Sequence, residues 1–96
     1  MTLVERIADA RDLSEVFGLV NEFIGALQSK RDIEQIPATL RPARISTADD
    51  LAYWLGIVAD EIKRRDAAEE EIPEVMFALH AVLETAGQKL RGAWYH

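Results

Sequence analysis

Cysteine is absent from this sequence, which excludes a disulfide framework, a thiolate nucleophile and every thiolate metal ligand. Histidine occurs only at His80 and His96. A conventional zinc site built from imidazoles, or from imidazoles and thiolates, therefore cannot be assembled within one chain. Long apolar runs are missing too. No stretch approaches the ~20 apolar residues of a membrane-spanning helix. The opening Met1-Thr2-Leu3-Val4-Glu5-Arg6 carries charge from its fifth position, unlike the apolar core of a secretory signal. A cytoplasmic protein without a membrane segment is expected.

Positive charge is in the minority. Eleven Lys/Arg stand against 17 Asp/Glu, for a formal net charge of −6. The imbalance is uneven: residues 1–48 carry six cations and seven carboxylates, residues 49–96 five and ten. Nucleic-acid binding rests on neutralising phosphates, so this balance weighs against it and favours a basic protein partner.

Of the residues present, 49% are hydrophobic, enough for one globular core in a chain of single-domain length. Residues 1–96 are expected to form one all-α domain. Thr2 and Glu5 fit a capping box. Apolar residues then recur at Leu3, Ile7, Ala10, Leu13, Phe17, Val20, Ile24 and Leu27, close to every 3.5 residues. The spacing predicts one long helix, bent where Asp12 and Glu15 offer a second cap, rather than two separate helices. Such a repeat also suits a seam through which the first helix pairs with itself in a homo-oligomer.

The pattern stops after Gln28. Pro37 and Pro42 interrupt residues 31–46, because proline lacks a backbone donor and restricts its predecessor. The spaced Ile33, Ile36, Leu40 and Ile45 predict a connector, with a short helix or turn, packed along the bundle. Ser46-Thr47-Ala48-Asp49-Asp50 starts a helix whose apolar face is Leu51, Trp54, Leu55, Val58 and Ile62, closing near Lys63-Arg64-Arg65. Pro73 suits the first position of a third main helix with the stripe Ile72, Val75, Met76, Leu79, Val82, Leu83, Ala86 and Leu90. Gly87 or Gly92 is placed to end it, and Trp94-Tyr95 to dock back on the bundle. The expected architecture is a small bundle of three main helices, a proline-containing connector and a fourth short helix.

Catalytic constellations are hard to find. Glu71-x-x-Glu74 and Asp12-x-x-Glu15 resemble the paired E-x-x-E and E-x-x-D motifs by which all-α nucleotide pyrophosphohydrolases hold magnesium. However, Glu71 precedes Pro73 and so lies at or before the first turn, and 17 acidic residues produce such pairs by chance. His80 and Glu84 sit four apart, the spacing of a base oriented by a carboxylate and equally of a surface pair. No serine or cysteine stands in a nucleophile motif beside them. The sequence therefore assigns no catalytic residue, metal ligand or cofactor.

The residues that invite a partner lie in the second half. Asp60, Glu61, Asp66, Glu69, Glu70, Glu71 and Glu74 place seven carboxylates within fifteen residues, a density that steers a basic protein toward its binding site. Tyr53 and Ile57 form an i, i+4 apolar pair outside the main stripe, of the kind found at interfaces when exposed. The expected contact surface is Tyr53, Ile57, Asp60, Glu61, Glu69, Glu70, Glu71 and Glu74. The expected function is that of a non-enzymatic acidic module neutralising a basic partner, in the manner of an immunity protein or antitoxin.

An alternative reading comes from residues 46–65. Ala52, Leu55, Gly56, Ile57 and Ile62 match loosely the small, apolar and glycine positions of a DNA-binding helix-turn-helix, with Lys63, Arg64 and Arg65 following on the recognition helix. That reading needs a turn at Gly56. One unbroken helix across the segment excludes it.

Overall fold

A computed structural model describes residues 2–29 and 31–94, without the side chains of residues 31, 32, 93 and 94. Every regular element among them is helical: α1 (Leu3–Ala8), α2 (Leu13–Gln28), α3 (Ala48–Ala67) and α4 (Glu74–Trp94), with 3-10 turns at Arg31–Gln35 and Ala38–Leu40 between α2 and α3. The chain is an all-α bundle.

The amino-terminal stripe resolves into two helices rather than one bent helix. Asp9 caps the end of α1, and the Asp12 carboxylate accepts from the Glu15 amide at 2.8 Å to start α2. Glu15 reciprocates by accepting from the Arg11 amide at 3.1 Å. One of the amides left free at the helix start, and the Arg11 amide just before the cap, are thereby satisfied. The break lets Ile7 and Ala10 both reach the core. Along α2, Val16, Leu19, Val20, Ile24 and Leu27 are buried. Of the apolar stripe that suited a self-pairing seam, Ile7, Ala10, Val20, Ile24 and Leu27 are buried within the chain, where α2 packs on α1 and α4, while Leu13 stays 43% exposed.

The connector is packed as its apolar spacing predicts. Ile36, Leu40, Pro42 and Ile45 are buried, and Ile33 lies against the core. Polar side chains fix its course. The Asn21 amide of α2 donates to the Ile45 carbonyl at 2.8 Å and accepts from the Ile45 N–H at 2.9 Å. Arg41 Nε donates to the Ile36 carbonyl at 2.7 Å.

Helix α3 begins at Thr47, whose hydroxyl accepts from the Asp50 amide at 3.1 Å, and runs unbroken through Gly56. No glycine has a positive φ among the described residues, and packing of the Leu51–Val58 face readily offsets the ~1 kcal/mol that an interior glycine costs. The helix-turn-helix reading needed a turn here, and the segment forms none.

At its far end α3 closes in a Schellman turn. The Glu70 amide donates to the Arg65 carbonyl at 2.9 Å and the Glu69 amide to the Asp66 carbonyl at 3.2 Å. Glu69 takes the left-handed position at φ 59°, which glycine normally fills because a Cβ crowds the backbone there. Glu69→Gly should therefore raise stability by about 0.5–1 kcal/mol, a few degrees in thermal midpoint. An unchanged or lower midpoint would show that the Glu69 side chain contributes as much as its conformation costs.

Helix α4 starts at Glu74, one residue after Pro73, and continues past Gly87 and Gly92 to Trp94. Neither glycine ends it. The proposed docking of Trp94 and Tyr95 lies outside the described side chains and residues. Helix α4 is the hub, packing on α1, α2 and α3, whereas α3 touches only α4 and the 3-10 turn Ala38–Leu40 among these elements. Much of α3 is left facing outward.

Candidate interaction surface

Helix α3 carries four of the eight proposed contact residues, the turn after it three, and Glu74 opens α4. At 100° per residue, Tyr53, Ile57, Asp60 and Arg64 fall along one line of α3. Tyr53 is 61% exposed, so the connector does not cover it. Its ring meets Trp54 edge-on, centroids 5.4 Å apart and planes at 81°. Trp54 and Ile57 lean on the core, and Tyr53 stands outside it.

Glu61 is the anchor of the acidic end. Its carboxylate accepts from Arg64 Nη2 at 2.6 Å and from Arg65 Nε at 3.0 Å. These hydrogen bonds, first from Arg64 and then from Arg65, hold its carboxyl down to about 2. The same carboxylate raises the Arg64 guanidinium above its usual value, with a further contribution from Glu70. Arg64 Nη2 also reaches Glu70 at 3.2 Å, and Arg65 Nη1 donates to the Glu71 carbonyl at 3.4 Å. Two arginines from the last turns of α3 thus tie down the start of the acidic turn.

Not all of the acidic run is consumed in this way. Asp60, Asp66, Glu69, Glu71 and Glu74 are exposed, and none makes an ion pair within the described residues. Glu71 and Glu74 line an open, mostly polar recess of about 760 Å³ together with Gln35, Arg65, Ile72, Pro73 and Val75. Carboxylates around such a recess present charge-assisted acceptors to ammonium and guanidinium groups.

The eight residues do not form one patch. Thirteen residues of helix separate Tyr53 from Asp66, about 20 Å at the α-helical rise. The structure brings Glu61 and Glu70 together through Arg64, holds the Glu71 carbonyl to Arg65, and leaves Tyr53 further up the helix with Gly56. An exposed aromatic was also overlooked: Phe77 is 50% exposed on α4. It lies opposite the Met76, Leu79, Leu83 and Ala86 stripe, so its periodicity alone places it outside.

No group of three or more His, Asp or Glu side chains among the described residues is placed to hold a metal ion. Asp12 and Glu15 are occupied in capping, and His80 Nδ1 lies 3.4 Å from Glu84 as a part-exposed pair on α4. No polar or charged residue is buried among those described. No described helix is long and apolar enough to cross a membrane. No family model, curated protein or solved structure matches the chain.

Proposed function

We propose that the chain is a non-enzymatic interaction domain, acting in the cytoplasm, that takes a basic protein partner on the acidic end formed by the last turns of α3 and the start of α4. The observation that carries this reading is the set of exposed carboxylates at Asp66, Glu69, Glu71 and Glu74, outside any described ion pair, on a turn fixed by a Schellman motif and by Arg64 and Arg65. A rigid acidic turn loses little freedom when it docks. From Asp60 to Glu74 seven carboxylates face three cations, an excess that attracts a basic surface from a distance and weakens with salt. Neutralising such a partner, as immunity proteins and antitoxins do, is the activity this chemistry suits.

The test is co-purification of a basic protein with the wild-type chain and with the triple variant Glu69→Lys, Glu70→Lys, Glu71→Lys. Reversing three charges should weaken binding at least about 100-fold, on the measured size of close interfacial charge pairs. The variant should keep its helical circular dichroism, because all three side chains are exposed. Equal recovery of the partner by both chains would refute this surface.

A further inference from the structure

The outward face of α3 is self-complementary, and we propose that it pairs antiparallel with α3 of a second copy of the chain. This surface meets the acidic end only at Asp60 and Lys63, leaves Asp66–Glu74 uncovered and needs no other partner. Its residues are Asp49, Ala52, Tyr53, Gly56, Asp60 and Lys63, all exposed. By helical geometry they share one side of α3, turned away from the buried Leu51 and Val58.

The charges at the ends of this face are of opposite sign. Asp49 and Lys63 each lie seven residues, about 10 Å, from Gly56, and neither makes an ion pair within the described residues. A two-fold axis near Gly56 sets each Asp49 against Lys63 of the second copy. It also brings Ala52 beside Ala59 of the second copy, and places the Tyr53 hydroxyl to donate to the Asp60 carboxylate across the axis. A side chain at Gly56 would meet nothing within 4 Å in its own chain, so space for a close helix crossing is open there. Such two-fold contacts are isologous, each interaction occurring twice.

The other exposed helix faces lack this match. Between Leu13 and Gln28 there is no cation, so antiparallel copies of α2 would oppose acid to acid or to nothing. On α4 the outer face around Phe77 and Ala81 carries Glu84 near its middle, which antiparallel pairing sets near its own copy. Helix α4 also has opposite end charges, Glu74 and Arg91, but among the described helices α3 is the one that combines them with small residues and no carboxylate at the centre.

One helix face per protomer lies at the small end of protein interfaces, below about 1,200 Å² in total, so the dimer should dissociate in the micromolar range. Sedimentation velocity across micromolar to millimolar concentration, with no other protein present, reads it directly. Lys63→Asp alone and Asp49→Lys alone should each weaken the dimer about 10-fold at low salt, and the double swap should restore it to within about threefold. Circular dichroism confirms that each variant remains helical. A wild-type monomer at millimolar concentration overturns the proposal, and so does a dimer indifferent to the single swaps or not restored by the double swap. These results leave the acidic end untested either way, so the two proposals fail separately.

Discussion

Leu83→Ala should lower the unfolding free energy by about 2–5 kcal/mol, the cost of lost apolar burial plus the cavity left behind. Leu83 is fully buried on α4, the helix that packs against the other three. Its neighbours on that face, Leu79, Val82 and Ala86, are buried as well, so little is free to collapse into the gap. Domains of this size hold roughly 5–15 kcal/mol in all, and each kcal/mol moves the midpoint by about 4–8 °C. A fall of at least about 8 °C is therefore expected by differential scanning calorimetry, from about 2 kcal/mol upward. Phe77→Ala supplies the contrast. It removes a larger side chain from the same helix, yet from its half-exposed outer face, and should cost about 1 kcal/mol or less. A greater loss for Phe77→Ala than for Leu83→Ala would mean that α4 faces the core differently.

Asn21→Ala carries the second large effect, about 2–4 kcal/mol. Its amide closes both hydrogen bonds of Ile45, a residue fully removed from solvent. Alanine leaves a buried donor and a buried acceptor unpaired, at about 1–3 kcal/mol each. Asn21→Asp sharpens the test. A carboxylate still accepts from the Ile45 N–H but sets a second acceptor against the Ile45 carbonyl, so it should recover only part of the loss. Hydrogen exchange at the Ile45 amide should quicken in the alanine variant far more than exchange in the middle of α4. Unchanged protection at Ile45 would show that burial of Ile36, Leu40 and Ile45 holds the connector without the amide.

The helices were largely legible in the sequence because caps and apolar periodicity agree along most of the chain. Thr47 caps α3 as its hydroxyl and following carboxylates suggest, and the Leu51–Val58 face packs as spaced. The break between α1 and α2 was misjudged because the apolar spacing runs almost undisturbed from Leu3 to Leu27. What decides it is the local competition won by the Asp12 cap, and the hydrogen bond from the Ala10 amide to the Ile7 carbonyl at 3.1 Å that lets the chain fold in at Ala10. The carboxyl-terminal end of α4 departs from the sequence expectation for a related reason. Glycine at 87 or 92 weakens a helix by about 1 kcal/mol, and α4 runs on past both. At Gly87 an added Cβ would lie only 3.4 Å from Leu55, so α3 sits close against the helix there.

The connector's fastening was not legible at all. Asn21 reads as a polar residue at the edge of an apolar stripe, and its partner lies 24 residues away. At the acidic end, spacing of three and four marks Glu61 with Arg64 and Arg65 as a pair of ion contacts. Their consequence is spatial: Arg64 and Arg65 engage Glu61 and Glu70, while Asp60, Asp66, Glu69, Glu71 and Glu74 stay open on either side of them. The expected surface also ran together two regions that about 20 Å of helix keeps apart. Pairing of α3 over Asp49–Lys63 still leaves Asp66–Glu74 available beyond it.

The partner surface can be located amide by amide. The basic protein recovered with the wild-type chain would be titrated into isotope-labelled domain at low salt, following backbone amide shifts by nuclear magnetic resonance. The largest changes should fall on Asp60–Glu74, spread to Gln35 in the recess, and fade as salt is raised. Changes centred on α1 and α2, with Asp66–Glu74 unmoved, would contradict it.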